Sequence, residues 1–353
     1  MGTFRDFVEA ALYDPVDGFY ARRRPTEDFY TAPELHPAFA VAMADELVER
    51  LARTAARRPG EALFVVEMGC GKGTLARQIL RTLRERHPSV HAGTVYVLVE
   101  RVEKVLLEAV ASLRGEAARL LAYQRLSDVP AVSGVFLSNE LVDALPFHVL
   151  EKRDGRVLEL YAERGEDGWS GRLAEPSCPE LARAAERLQD ELPEGGRHAV
   201  RPEARRWMGE VASRLKDGAV VTVDYGERGG LHAPRFFHRH ATGTDVFARV
   251  GEQDLTASVD FSELEEEGRL HGLETARYGG LGRWLLDRGT LERLPVGDDA
   301  AAYAERNRIK TLLLPGGMGE AFKVLIQEPV REISRLPVAR YSERAETRGA
   351  RDA

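Results

Sequence analysis

The sequence predicts an α/β fold in which a mostly parallel β-sheet carries helices on both faces. The first observation is a run of apolar residues at 63–66, followed by glycines at alternate positions and then by apolar residues at helical spacing. Further buried-strand patterns, each ending in or followed by polar residues, lie at 94–100, 134–137 and 219–226. Helical patterns separate several of these strands, which is typical of parallel sheets with crossover helices.

The glycine turn after the first strand allows the backbone to approach a ligand closely, because residues without a Cβ adopt positive φ values. It is not a P-loop, since Gly73 follows Gly71-Lys72 where Ser or Thr is required. It is not a complete dinucleotide fingerprint either, because Thr74 replaces the third Gly or Ala. What remains is Glu-x-Gly-x-Gly-x-Gly, beginning at Glu67. A tight strand-to-helix turn without a ligand is the alternative.

The composition limits the class of protein. A chain of 353 residues with 43% hydrophobic residues can form one large α/β domain or two smaller ones. The formal net charge of −7 gives no basic footprint, so we expect no nucleic-acid partner. The two cysteines, Cys70 and Cys178, fit a reducing compartment rather than a disulfide framework. Without a long apolar run, a signal core or a transit pattern, we expect no membrane partner and a cytoplasmic location.

Polar residues at the ends of later strands predict the rest of a site. Glu100 ends the second strand, where an acidic residue accepts hydrogen bonds from ribose hydroxyls in nucleotide-binding α/β folds. The strand at 134–137 is followed by four candidate site residues: Asn139, Glu140, Asp143 and His148. The carboxyl ends of parallel strands face the ligand crevice, which favours a binding role. Alternatively, Asn139 and Glu140 cap a following helix.

The chain is expected to divide into five parts. These are an N-terminal helical cover (1–60), the glycine-containing half of the sheet (61–150), an inserted substrate-side subdomain (151–217), the second half of the sheet (218–330) and a mobile tail (331–353). A long loop at 227–258 contains His232, His238 and His240, but no Cys or paired carboxylate lies at ligand spacing, so no metal site is predicted.

Helix ends are predicted from three short patterns. Thr74 is expected to cap the helix after the glycine turn, and Gly218 to end a helix at 201–216. Ser262 with Glu265 matches a capping box at the start of another helix.

Several short motifs stand along the chain in a fixed order. They are Ala11-Leu12-Tyr13-Asp14-Pro15 with Gly18-Phe19-Tyr20, Asp28-Phe29-Tyr30-Thr31-Ala32-Pro33-Glu34, the glycine turn, Ser138-Asn139-Glu140-Leu141 through Ala144-Leu145-Pro146, Leu192-Pro193-Glu194-Gly195, Asp224-Tyr225-Gly226, and Gln253-Asp254-Leu255-Thr256-Ala257 with Val259-Asp260-Phe261. Over roughly residues 4–327 this set resembles the MidA-like family of class I methyltransferases that use S-adenosylmethionine (SAM). That family includes the mitochondrial arginine methyltransferase needed to assemble respiratory complex I.

The resemblance implies a Rossmann-like class I methyltransferase fold: a mostly parallel seven-stranded sheet, a small inserted α+β subdomain and an N-terminal helical cover. It implies SAM as the cofactor and a nitrogen as the methyl acceptor, with a protein arginine guanidinium as the first choice. The alternatives are a small-molecule N- or O-methyltransferase, a nicotinamide-dependent reductase and a non-catalytic assembly factor. The acceptor is thus a protein or a small molecule, and a homodimer is left open.

The resemblance also divides the site residues into two groups. The cofactor group is Thr31, Pro33, Glu34, Glu67, Gly69, Gly71, Gly73, Glu100, Ser127 and Asn139. In it, Glu67 and the glycines would hold the methionine part, Glu100 the ribose and Ser127 the border of the adenine, under a cover formed by 31–34. The catalytic group is Glu140, Asp143, His148 and Asp254.

Within the catalytic group, Glu140 is expected to grip a guanidinium and accept its proton, since a carboxylate matches guanidinium geometry and can act as a base. Asp143 or Asp254 would be its partner, and His148 would relay the proton. The chain departs from the family pattern at Glu27, in a shortened loop at 227–245, and in the segment Arg101-Val102-Glu103 after the second-strand carboxylate.

Overall fold

The structure is a computed structural model that describes residues 2–22, 32–166, 168–238, 241–242 and 245–331. Thr31, Glu27, His240 and residues 332–353 of the predicted tail therefore lie outside the described residues. Across the described ranges, none of the helices combines the length and apolarity that crossing a lipid bilayer requires.

The strands are β1 Gly2–Thr3, β2 Leu63–Met68, β3 Thr94–Val99, β4 Arg119–Tyr123, β5 Val132–Asn139, β6 His148–Arg153, β7 Arg156–Gly165, β8 Gly168–Ala174, β9 Arg197–Val200, β10 Leu215–Glu227, β11 Pro234–His238, β12 Ala241–Thr242, β13 Asp254–Ala257, β14 Val259–Asp260, β15 Leu273–Gly280 and β16 Phe322–Pro329.

The helices are α1 Phe4–Tyr13, α2 Phe19–Arg22, α3 Ala32–Leu35, α4 Ala38–Arg57, α5 Thr74–Arg86, α6 Pro88–Gly93, α7 Glu103–Ser112, α8 Pro179–Leu188, α9 Pro202–Arg214, α10 Phe261–Leu270, α11 Leu281–Asp287, α12 Ala300–Leu313 and α13 Met318–Ala321. Short 3-10 turns cover Leu126–Asp128 and Leu291–Arg293.

The central sheet has the strand order β15-β16-β10-β5-β2-β3-β4, and the short β14 pairs with β10. Neighbouring strands from β10 to β4 are parallel, whereas β16 is antiparallel to both β10 and β15. Because side chains alternate along a strand, each strand packs on two layers. Val65 packs with α4 and α5 on one face, and Val66 packs with α9 and α10 on the other. This arrangement agrees with the predicted α/β class.

Two glycines let the central strands approach each other. Gly134 of β5 is in register with Gly218 of β10, and a Cβ on Gly218 would come within 1.7 Å of the Gly134 carbonyl oxygen. The expectation that Gly218 ends a helix is therefore wrong: α9 ends at Arg214 and β10 begins at once with Leu215. A glycine after a helical pattern is typical of a helix C-terminus, but here Gly218 allows two strands to approach each other.

Two other predicted caps are also wrong. Gly73, with φ of 77°, precedes α5, which starts at Thr74 without a side-chain cap. The N-cap of α10 is Asp260, whose Oδ1 accepts hydrogen bonds from the Ser262 backbone N–H at 2.9 Å and from the Ser262 hydroxyl at 2.6 Å. The observed N-cap therefore lies one residue before Thr74 in α5 and two residues before Ser262 in α10.

Two smaller sheets lie outside the central one. β1, β7, β6 and β9 form one path, with β8 attached to β7. The third sheet, β12-β11-β13, is built from the segment predicted as a long loop at 227–258, so that prediction is wrong for part of its length. The pairing of Pro234 with Ala257 and of Phe237 with Asp254 joins residues far apart in the segment, which local patterns do not reveal.

The N-terminal helix α1 packs against the smaller sheets. Thr3 and Asp6 form a capping box at its start. Its buried residues Phe4 and Phe7 belong to an aromatic cluster with Phe147 of the loop before β6 and Phe236 of β11. This packing attaches α1 to both smaller sheets.

A buried charge network joins α4 to α11 and β16. The Glu46 carboxylate is fully buried and accepts hydrogen bonds from Arg50 Nε at 2.8 Å and from Trp284 Nε1 at 2.9 Å. Arg288 also donates to Glu46, and Arg50 donates to Glu328 at the end of β16. Since the network joins α4 to α11 through Glu46 and to β16 through Arg50, it fixes how these three elements pack.

Replacing Glu46 by Ala should lower the free energy of unfolding by about 3–5 kcal/mol, because it removes the central carboxylate from a buried charge network. Arg50 and Arg288 keep one carboxylate partner each, but Trp284 Nε1 loses its acceptor. Urea unfolding followed by circular dichroism measures this. Arg53→Ala, on the exposed side of the same helix, is the control and should cost less than about 1 kcal/mol. Equal losses in the two variants would contradict the role of the network.

Candidate active site

A cavity of about 910 Å³ lies at the carboxyl ends of β2, β3 and β5. Binding sites for small molecules and cofactors span about 300–1,000 Å³, so its size suits a nucleoside cofactor. Residues from α1, α3 and α9 form its outer wall. The predicted site residues that line it are Pro33, Glu34, Glu67, Gly69, Gly71, Glu100, Asn139 and Glu140.

The glycine turn forms the floor of this cavity. Gly69, Gly71 and Gly73 all have positive φ values, of 66°, 52° and 77°. The backbone N–H groups of Gly69 and Cys70 donate to the Val99 carbonyl at 2.8 and 3.2 Å, which fixes the turn against β3. A Cβ on Gly71 would project into open space, so the cavity directly adjoins its backbone. Gly73 does not line the cavity and instead packs against α7.

Two carboxylates face the cavity from neighbouring strand ends. Glu67 is 3% exposed, accepts a hydrogen bond from the Tyr96 hydroxyl, and burial raises its pKa to about 7. Glu100 accepts hydrogen bonds from the Val102 N–H at 2.9 Å and the Gly71 N–H at 3.3 Å, and burial raises its pKa as well. A ligand with a cationic group near Glu67 and hydroxyl donors near Glu100 would stabilise both anions.

Glu140 stands at the end of β5 in a strained conformation. Its φ is 50°, a value rare for residues other than glycine. Its backbone N–H donates to the Val223 carbonyl at 2.9 Å, and its Oε1 accepts hydrogen bonds from the Ala32 N–H at 3.2 Å and Asn139 Nδ2 at 3.0 Å. Burial, and then the charge of Asp143, raise the pKa of Glu140 to about 8. Strain together with a shifted pKa makes Glu140 a candidate functional residue.

The alternative in which Asn139 and Glu140 cap a helix is wrong, because residues 140–147 form turns and lead into β6. The loop is held in place by other groups. Arg201 is buried and donates to the carbonyls of Asp143, Leu145 and Ala257, at 3.0, 3.2 and 2.9 Å.

Asp143 and Asp254 lie behind the cavity wall and do not line it. Burial raises the pKa of Asp143 to about 6, although the Arg201 charge opposes this. Asp254 accepts a hydrogen bond from the hydroxyl of Tyr20, at 3.2 Å, and Tyr20 does line the cavity. Asp143 therefore acts on Glu140 through its charge, and Asp254 is linked to the cavity lining through Tyr20.

His148 and Ser127 are not brought to the cavity. His148 lies on β6, where its Nδ1 is 2.8 Å from Glu159 Oε1 of the neighbouring strand β7. Ser127 does not line the cavity, although its neighbour Leu126 does.

Sequence reasoning missed the part of the outer wall that α9 forms. The α9 residues Glu203, Arg206, Trp207 and Glu210 line the cavity, and they are spaced to share one helix face. Opposite them, the Arg101 guanidinium lies 3.9 Å from the centre of the Tyr13 ring and pairs with Glu9. The helical spacing in α9 is visible in the sequence, but nothing local shows which way that face points.

Comparison with known proteins identifies the family of this chain. Residues 42–279 match the model of a family of S-adenosyl-L-methionine-dependent methyltransferases. The chain belongs to this family. It is therefore a SAM-dependent methyltransferase, which confirms the predicted cofactor and the MidA-like resemblance and removes the reductase alternative.

Relatives and a solved structure agree with this assignment. The chain is 29% identical to human protein arginine methyltransferase NDUFAF7, mitochondrial, covering 97% of this chain and 83% of that protein. It is 27% identical to the Drosophila melanogaster homologue, covering 96% and 84%. A Burkholderia thailandensis crystal structure bound to S-adenosyl-homocysteine superposes with a TM-score of 0.79, at 27% identity, over 92% of this chain and 87% of the other. The α/β methyltransferase fold is confirmed.

The residues present fit SAM. The open space beside Gly71 admits the methionine part, Glu67 offers a counter-charge for its ammonium, and Glu100 offers an acceptor for ribose hydroxyls. These individual residue roles stay predictions.

Gly71→Val should abolish SAM binding, because its side chain would enter the cavity next to the methionine part. Gly155→Val is a matched control: Gly155 also has a positive φ, 71°, and open space around it, but it lies in the β6–β7 turn. Calorimetric titration with SAM should show no binding to the first variant and normal affinity in the second. Normal affinity in Gly71→Val would remove the glycine turn from the site.

Proposed function

We propose that this enzyme transfers the methyl group of SAM to a guanidinium nitrogen of an arginine in a protein. The observation that carries the proposal is Glu140, a buried, strained carboxylate at the cavity whose pKa is raised to about 8. The names of the NDUFAF7 relatives as protein arginine methyltransferases support the same acceptor.

The acceptor chemistry explains the need for such a carboxylate. A guanidinium is protonated at neutral pH and must lose an N–H proton before or as its nitrogen forms a bond to carbon. SAM, when bound, supplies an electrophilic methyl group on a positively charged sulfur. As the N–C bond forms and the carbon–sulfur electron pair returns to sulfur, Glu140 takes the released proton. Its raised pKa makes it a stronger base than an ordinary glutamate.

Glu140 has an oxygen available for this role. Oε1 already accepts two hydrogen bonds, from Ala32 and Asn139. Among the described residues, none donates to Oε2. A guanidinium N–H can therefore reach Oε2 while Oε1 keeps the carboxylate fixed.

The charge around Glu140 favours a cationic acceptor. The charges of Asp143 and Glu34 raise the pKa of Glu140, and the charges of Asp143 and Glu140 raise the pKa of Asp224. Arg201, the guanidinium buried beside them, is bound to loop carbonyls. A positively charged ligand would be stabilised by the surplus of carboxylates.

The mouth of the cavity is open to the surface. Two arginines that line it, Arg125 and Arg206, have side chains that are 76% and 69% exposed. A side chain carried on another protein can enter from solvent past such residues. This supports a protein acceptor over a small molecule that is fully enclosed.

Glu140→Gln should lower turnover by on the order of 100-fold or more while SAM affinity changes little, because the amide keeps the shape but cannot accept a proton. The control is Glu108→Gln, which removes a carboxylate from the rim of the same cavity. It should keep near wild-type turnover. If Glu140→Gln kept its activity, the role of Glu140 would be structural: it would position α3 through its hydrogen bond with the Ala32 N–H.

The pH dependence follows from the same residue. The unprotonated form is the active base, so kcat/KM should rise by about tenfold per pH unit at low pH and level off above the pKa of Glu140. That pKa is about 8 in the free enzyme. Steady-state rates between pH 6 and 10 test this, and a flat profile would contradict it.

The acceptor itself is tested with radiolabelled SAM and the soluble proteome of the host. Label on arginine of a discrete protein band supports the proposal, and acid hydrolysis to methylarginine identifies the residue. Label found in the small-molecule fraction alone would replace it with the small-molecule alternative.

A further inference from the structure

Asn139 ends β5 next to Glu140, and its amide has a fixed orientation. Its Nδ2 donates to Glu140 Oε1 at 3.0 Å. The opposite orientation would place the amide oxygen against the carboxylate oxygen, and two acceptors repel. The Asn139 Oδ1 must therefore point away from Glu140 Oε1.

The Asn139 Oδ1 is a buried acceptor without a donor. It has almost no contact with solvent, and no described residue donates to it. Asn139 nevertheless lines the cavity. Buried polar groups in native proteins are nearly always paired, and those left unpaired at a cavity are completed by a ligand or by water.

Asn139 and Glu140 both line the cavity, and each carries an acceptor to which no described residue donates: Asn139 Oδ1 and Glu140 Oε2. We propose that these two oxygens receive two N–H groups of the acceptor guanidinium, so that Asn139 selects a nitrogen acceptor and belongs to the acceptor side of the site. This inference rests on the proposed function and assigns Asn139 differently from the sequence analysis, which placed it with the cofactor.

The arrangement discriminates between classes of acceptor. A guanidinium carries five N–H donors in a plane and no acceptor, so it can satisfy both oxygens at once. A carboxylate acceptor would face two oxygens and be repelled, and a hydroxyl has one proton to donate. The SAM ammonium has a separate counter-charge in Glu67, which lies on the neighbouring strand β2.

The test uses two variants of Asn139 and a binding readout. The probe is N-acetyl-L-arginine amide, titrated calorimetrically into enzyme saturated with S-adenosylhomocysteine, with N-acetyl-L-lysine amide as the comparison ligand. Asn139→Ala removes the Oδ1 acceptor and should weaken probe binding on the order of tenfold or more. Affinity for S-adenosylhomocysteine should stay unchanged. Ser138→Ala, one residue earlier on β5 and outside the cavity lining, is the control for the strand.

Asn139→Asp gives a second, independent readout. It keeps an oxygen for the guanidinium but places a second carboxylate against Glu140, which already faces Asp143 from its own loop, Asp224 from β10 and Glu34 from α3. Probe binding should be retained, and the low-pH limb of kcat/KM should move to higher pH, because a neighbouring negative charge disfavours ionisation. Thermal melting of each variant confirms that it is folded.

Three results would overturn the inference. They are an equal loss of S-adenosylhomocysteine affinity in Asn139→Ala, arginine and lysine probes that bind alike, and an arginine probe that does not bind the wild type. If probe binding depends on Asn139 but the labelled proteome shows no methylated arginine, the inference stands and the proposed protein acceptor fails.

Discussion

The hydrogen bonds between the loop after β5 and strand β10 are the constraint on which the rest of the site depends. The buried Asp224 carboxylate accepts hydrogen bonds from the Val142 and Asp143 N–H groups at 2.9 and 3.2 Å, and the Glu140 N–H donates to Val223. These bonds hold Glu140 at a positive φ that it would not adopt on its own. These hydrogen bonds require that β5 and β10 run close together, which the facing pair Gly134 and Gly218 allows.

The outer wall is assembled by contacts between segments that are far apart in the chain. Arg5 of α1 donates to Glu203 of α9 at 2.7 Å, across the mouth of the cavity. Helix α3 of the outer wall is held by two hydrogen bonds. The Ala32 N–H donates to Glu140 Oε1, and Gln78 Nε2 donates to the Pro33 carbonyl at 3.0 Å. Each contact joins the wall to an element of the central sheet or its helices, so the cavity exists only in the complete fold.

The sequence was sufficient for the parallel strands of the central sheet and for the strand ends at which Glu67 and Glu100 lie, because these depend on local pattern. The apolar run before the glycine turn and the carboxylates Glu67 and Glu100 are set by strand periodicity and by strand ends. Trp207 could not be assigned in the same way, since its place in the wall depends on how α9 packs. Strand β11 was not predicted within the histidine-rich segment, because its pairing with β13 is a tertiary contact. His148 was predicted to relay a proton, but in the structure its ring lies against Glu159 of the neighbouring strand β7.

The strained backbone of Glu140 also has a consequence for how this enzyme can evolve. Within the described chain, Glu140 and Asp154 are the residues other than glycine with a positive φ. Glycine at position 140 would relieve that strain and remove a buried carboxyl group from a cluster of like charges. Selection for thermal stability alone would thus favour the loss of this side chain, and its retention across a lineage would be a record of selection for catalysis.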